Sequence, residues 1–355
     1  MTEYIYLGIS LSLGFLLSAL SMPLIIYFSR KLKLYDTIDE RKVHKGNISR
    51  LGGIGITLAF SVSVIILHFT GQLDSLKQNL IFVVVATVII TTMGIVDDIK
   101  TLSAKVKLLI QIAAAILVLF GDYKFSNISI GVYSLNIGYF AYPLTLIWII
   151  GVTNAVNLLD GIDGQCGTVA ILCSLTFCMF FFREGNTAAM AICLCFSCAI
   201  LGFLLFNWPI PKARIFMGDG GSQTLGFVLS ILPLMSSKGS LPSISIIYAA
   251  AALMIPIFDT FAAIWRRLRE HRSIGSPDKY HIHHKLMLFG YSSRQTLLIV
   301  TLFQLVISIF LCTSLWLGGW IGTIILFTTY AMGIIFFAIV HYNKQNIIEH
   351  EMKMQ

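Results

Sequence analysis

The chain has 355 residues, 57% of them hydrophobic and 12% charged, with a mean hydropathy of +0.84 and a formal net charge of +8. A soluble domain has no use for that much apolar surface, so the composition excludes a water-soluble fold and predicts an integral membrane protein. The excess charge does not point to nucleic acid, because it collects on one side of the predicted membrane.

Eleven apolar runs follow one another and predict an all-α polytopic fold in a single domain: 4–28, 51–70, 79–96, 106–121, 141–157, 166–182, 187–206, 222–236, 244–265, 296–317 and 320–341. Runs of roughly 15–25 residues suit a hydrocarbon core of ~30 Å. The first lacks a basic leader and is too long for a cleavable signal core, so it reads as a retained helix. Between the fourth and fifth runs, "FSNISIGVYSLNIG" (125–138) alternates polar and apolar residues and predicts a small β-hairpin. The seven cysteines lie almost entirely in apolar runs. Even Cys195 and Cys198, a C-x-x-C pair, read as buried, inert thiols rather than a metal or redox site.

Threading the chain through these runs places loops 29–50, 97–105, 158–165, 207–221, 266–295 and the tail 342–355 on one side. The other side holds Lys77, Lys124, Arg183 and Lys238, which leaves 21 of the 25 Lys and Arg residues for the first. The positive-inside rule makes that side cytoplasmic, with the amino terminus outside and the carboxy terminus in the cytoplasm. The hairpin then falls on the outer side, and the basic face meets anionic headgroups or an anionic substrate.

The polar clusters all fall on the cytoplasmic side. Transporters tend to carry ionisable groups near the bilayer midplane. Acids gathered at one interface instead suit a reaction between a water-soluble molecule and one held in the membrane; a cation-coupled transporter is the alternative from another class. In "GIVDDIKTLSAKVKL" (94–108), Asp97 and Asp98 are adjacent and about 100° apart on a helix, so both can serve only at a helix end. Lys100, Lys105 and Lys107 are close enough to engage phosphate. In "NAVNLLDGIDG" (154–164), Asn157, Asp160 and Asp163 recur every three residues, and Gly161 and Gly164 open the backbone into a loop. An amide oxygen with carboxylates is a hard-oxygen ligand set, suited to Mg²⁺, with Mn²⁺ as a substitute, rather than to zinc. "FMGDGGS" (216–222) offers glycines whose amides can approach a phosphate at a helix start, without the lysine of a P-loop. The loop "RRLREHRSIGSPDKYHIHHKL" (266–286) has a metal-like "HIHH", but His281, His283 and His284 have neither the i,i+4 spacing of a zinc site nor a cysteine or acid at a ligand interval. Contact with a phosphate or a sugar suits these imidazoles better. Together the clusters describe a divalent-metal site for a nucleotide diphosphate.

"RKVHKG…LGG", "GIVDDIKTLSAKVKLLIQ", "NAVNLLDGIDG", "FMGDGGS" and "SPDKYHIHHKLMLFGYSSRQ" stand in an order that resembles the polyprenyl-phosphate N-acetylhexosamine-1-phosphate transferases over essentially the whole chain. The first four motifs are shared with the UDP-MurNAc-pentapeptide branch; that branch, or a transferase for another UDP-N-acetylhexosamine, is the alternative within the superfamily. "HIHH" resembles the bacterial branch that takes UDP-GlcNAc and undecaprenyl phosphate. The resemblance implies transfer of GlcNAc-1-phosphate to undecaprenyl phosphate with release of UMP, at the cytoplasmic face of a bacterial inner membrane. That is the first membrane step of an envelope polysaccharide such as an O antigen, a common antigen or teichoic acid.

By position, the resemblance implies that Asn157 and Asp219 hold the metal, with help from Asp98. It places Asp97 and Asp98 where the lipid phosphate is received, and Asp163 and Phe216 on uracil, with Asp160 and Lys45 nearby. Arg267 and His281 handle sugar and pyrophosphate, with His283 and His284 as further substrate contacts, and Asp36 is a functional acid of the first loop. One departure is visible: Ile48-Ser49 stands where the family carries Ile-Pro. UDP-GlcNAc, undecaprenyl phosphate and the bilayer are the implied partners; nucleic acid is not, and a homodimer is left open.

Overall fold

The computed structural model describes residues 2–34, 48–76, 78–130, 133–210, 212–237, 244–273, 275, 278 and 280–354. Its helices in chain order are α1 (Thr2–Lys31), α2 (Gly52–Phe69), α3 (Leu80–Ile99), α4 (Ala104–Phe120), α5 (Ala141–Leu159), α6 (Gln165–Arg183) and α7 (Thr187–Asn207). They continue with α8 (Gly218–Ile231), α9 (Ile246–Ala252), α10 (Met254–Arg269), α11 (Ile282–Leu288), α12 (Ser293–Leu317) and α13 (Gly319–Met354). Among the described residues, eight helices are long and apolar enough to cross a bilayer, and α9 with α10 makes a ninth if the bent pair counts as one span. The protein is an all-α polytopic membrane protein.

Side-chain caps set several helix starts. Ser103 accepts Val106 N–H ahead of α4, Asn186 accepts Ala189 N–H ahead of α7, and Ser292 with Gln295 forms a reciprocal capping box on α12. Between α4 and α5, β1 (Asn127–Ile130) pairs antiparallel with β2 (Tyr133–Asn136), Asn127 opposite Asn136.

Three elements differ from the expected runs. The run 244–265 breaks at Leu253, where α9 and α10 meet at 85°. The run 222–236 gives α8, whose 14 residues extend about 21 Å and cannot alone match a ~30 Å core. A short helix is tolerable there because Gly220 to Ile231 are all buried among other helices rather than facing lipid. Finally, α11 forms inside the expected loop 266–295.

The packing around α8 depends on missing side chains. A Cβ at Gly53 of α2 would collide with the Gly221 backbone, and one at Gly94 of α3 with the Gly220 backbone. Two polar layers then lock α8 in register. Thr91 Oγ1 lies 2.9 Å from Thr57 Oγ1 and 2.6 Å from Thr224 Oγ1, tying α2, α3 and α8 together. On the other flank, Gln111 Nε2 donates to Gln223 Oε1 at 2.9 Å, and Asn154 Nδ2 donates to Gln111 Oε1 at 2.9 Å. Those three amides stand one turn below Lys107, Asp219 and Asn157, so the layer aims all three at one place.

Candidate active site

The site forms where α8 begins. Gly218 has φ +70, and a Cβ there would run into the Arg50 carbonyl and the Asp98 carboxylate. The turn is stitched to the loop before α2: Phe216 N–H donates to the Ser49 carbonyl at 2.7 Å, and Gly52 N–H to the Phe216 carbonyl at 3.1 Å. Ser49 also bridges Ile215 in parallel. Its hydroxyl accepts Leu51 N–H at 3.2 Å, so a side-chain turn restrains the backbone there.

The adjacent acids of α3 diverge. Asp98 accepts Asp219 N–H and Gly220 N–H, each at 3.1 Å, and so caps the positive end of α8. This corrects one expectation: those two glycine-turn amides are held by Asp98, not turned toward a phosphate. Asp97 accepts Leu102 N–H at 2.6 Å and Lys107 Nζ at 2.7 Å. The same ammonium reaches Asp219 Oδ2 at 3.4 Å, and Asp97 and Asp219 are themselves within hydrogen-bonding reach of each other.

From α5, Asn157 donates to Ser222 Oγ at 2.8 Å and also contacts the Asp219 carboxyl. Asp160 is the C-cap of α5. Burial pushes its carboxyl up to about 7; the charges of Asp219, Asp98 and Asp163 add to the push, and Arg50 opposes it. Burial also raises Asp219, with Asp97 adding to the rise and Lys107 and Asn157 working against it. Asn207, the last residue of α7, holds the Asp163 turn by accepting Gly164 N–H at 2.8 Å.

A divalent cation fits this donor chemistry. Among the described residues, no three His, Cys, Asp or Glu side chains stand at metal-binding spacing. Asp219 and Asn157 nevertheless present hard oxygens beside Asp97 and Asp160, and the Lys107 ammonium bridges two of these carboxylates, as a cation would. Mg²⁺ takes one or two carboxylates and completes its shell with water and substrate phosphate rather than with a protein cage.

The histidine loop reaches the same place from α11. His283 packs on Gly161, where any Cβ would fall inside its ring. His284 lies 4.2 Å from His283, and His281 stacks over it at 6.2 Å, centroid to centroid. His281 Nδ1 lies 2.8 Å from Asp259 Oδ2. Arg266 holds Asp278 at 2.5 Å, and Arg267 is buried beside it on the last turn of α10. Burial alone would raise Asp278, but Arg266 outweighs it and leaves this carboxyl below the usual range.

The fold thus gathers Asp97, Asp98, Asn157, Asp160, Asp163, Phe216 and Asp219 around the start of α8, with the histidines joining at Gly161. Asp36 and Lys45 lie outside the described residues. Sequence reasoning passed over Asp259 and the Gln111–Asn154–Gln223 layer. A lone acid inside an apolar run was the available signal for Asp259.

The sequence that builds this site has known counterparts. Residues 80–237, which carry Asp97, Asp98, Asn157, Asp160 and Asp219, match the model of Glycosyl transferase family 4. The chain is 36% identical over 307 residues to the Bacillus subtilis (strain 168) "Probable undecaprenyl-phosphate N-acetylglucosaminyl 1-phosphate transferase", covering 85% of this chain and 84% of that protein. The protein belongs to this transferase family. The family's Escherichia coli O157:H7 and Yersinia pestis "Undecaprenyl-phosphate alpha-N-acetylglucosaminyl 1-phosphate transferase" proteins are 31% and 30% identical. They cover 79% and 85% of this chain, and 77% and 80% of their own lengths.

Proposed function

We propose that the protein transfers N-acetylglucosamine 1-phosphate from UDP-GlcNAc to undecaprenyl phosphate, releasing UMP, at the cytoplasmic face of a bacterial inner membrane. The observation that carries this reading is the convergence of Asp97, Asp98, Asn157, Asp160 and Asp219 with Lys107 at one helix start, in a chain of this family. We read eleven crossings with the amino terminus outside; this puts every element of the cluster on the basic face.

An oxygen of the lipid phosphate attacks the sugar-linked phosphorus in line, and the bond to the UMP oxygen breaks. The nucleophile is mostly dianionic at neutral pH and needs no strong base. The larger task is to bring two anions together, against repulsion of about 4 kcal/mol per charge pair at ~4 Å and an effective dielectric of ~20. Lys107 and Arg50 supply positive charge at the acids, and Arg267 supplies it at the sugar-phosphate end, where His281 meets the sugar. Asp219 and Asn157, with Asp98 behind them, would hold Mg²⁺ or Mn²⁺, which when bound offsets charge on the diphosphate. Asp163 and Phe216 receive the uracil, and His283 and His284 border the sugar.

Asp98 is engaged by two amides, and Asp97 by an amide and an ammonium. These bonds draw on the lone pairs of both carboxylates and lower their nucleophilicity, which supports direct attack over an aspartyl-phosphate intermediate. The test is product identification with purified protein, undecaprenyl phosphate and a panel of UDP-sugars. UMP from UDP-GlcNAc is the expected result; UDP, or no nucleotide product, would overturn the assignment.

A further inference from the structure

We infer that Asp259 is a positioning residue for His281, an assignment that rests on the transfer reaction proposed above. Asp259 is the single charged residue in the apolar run 244–265 and is 2% exposed. A carboxylate placed there is costly unless it is paired, so its partners identify its purpose. Both partners lie on the segment that opens α11: Oδ2 faces His281 Nδ1 at 2.8 Å, and Oδ1 accepts Ile282 N–H at 2.9 Å.

A carboxylate beside one ring nitrogen places the ring proton on that nitrogen and leaves the other for substrate. Here Nδ1 donates to Asp259, and Nε2 is left as an acceptor for a hydroxyl or amide N–H of the sugar. The ring's tilt is transmitted onward. His281 lies nearly parallel to His283, their planes 12° apart, and His283 rests on Gly161 in the loop that carries Asp160 and Asp163. Asp259 therefore orients an imidazole one ring removed from the acidic cluster, from a helix that carries none of the cluster's residues.

Asp259→Asn keeps the size of the side chain and an oxygen for Ile282 N–H. It presents an amide N–H to Nδ1, which must then accept, so the ring proton moves to Nε2. With protein in lipid nanodiscs, turnover to UMP should fall about 10- to 100-fold, and KM for undecaprenyl phosphate should stay within about twofold. The ¹⁵N resonances of His281, assigned by their loss in His281→Gln, should switch from the Nδ1–H to the Nε2–H pattern. On the His281→Gln background, Asp259→Asn should cause no further loss.

If the two substitutions multiply, or if Asp259→Asn lowers activity and melting temperature together while the His281 tautomer stays unchanged, Asp259 is only structural and the inference falls. The ¹⁵N measurement needs no turnover. A wild-type protein that releases no UMP would overturn the proposed reaction, while the tautomer would still decide the role of Asp259.

Discussion

Gly161 and His283 make a pair that exists only because one of them has no side chain. The imidazole occupies the space where any Cβ at 161 would lie, so Gly161→Ala must push α11 away from the Asp160 loop. A displacement near 1 Å at a reacting site costs on the order of 10²-fold in rate. Steady-state kinetics of Gly161→Ala should show kcat/KM for the UDP-sugar reduced by about that factor. His283 also has an electrostatic signature. Burial, reinforced by His284 and His281, lowers its pKa to about 3, from an ordinary 6.5. Between those values the unfolded chain binds a proton that the folded chain does not, so stability falls as pH drops through this window. Thermal unfolding between about pH 6.5 and about pH 4 should show that loss, and His283→Gln should show a shallower one.

Among the helices, α8 organises the site, and its environment explains what was legible. Apolar runs located the helices because the bilayer demands long apolar stretches wherever a helix meets lipid. They said less about α8, which is surrounded by protein and released from that demand. The break at Leu253 had a signal in Pro256, which falls in the first turn of α10, where its missing N–H leaves no helix bond unmade. The glycines of "GDGG" misled because one residue type serves two purposes. A phosphate cradle and a close helix crossing both require a bare backbone, and the crossing is what Gly53 and Gly94 reveal. Gly94→Ala should therefore overpack α3 against α8 and lower stability by about 1–3 kcal/mol, measurable as a reduced melting temperature of the detergent-purified protein. No loss would mean that the seam is looser than described.

Across the molecule, residues more than a hundred positions apart make one electrostatic unit, as Lys107 and Asp219 do at 3.4 Å. The ordered motifs made that gathering legible through their resemblance to the family. They could not reveal that Asp97 would pair with Lys107 while Asp98 turned to the amides of α8. Neighbouring acids share a sequence context, and only helix packing separates their partners. The polar layers stayed hidden for a related reason: Thr57, Thr91, Gln111 and Gln223 are uncharged and sit inside apolar runs. On the proposed orientation, single cysteines at 98, 160 and 219 should all be labelled by a membrane-impermeant thiol reagent from the basic face alone. Labelling of any one from the opposite side would separate the cluster.

The shared site itself is open to one decisive reading, Mn²⁺ binding followed by electron paramagnetic resonance on purified protein with UDP-GlcNAc present. One tightly held Mn²⁺ per chain is expected, lost when Asp219→Asn removes a charged hard-oxygen donor. Equal binding by wild type and this variant would contradict a metal–diphosphate site at the start of α8.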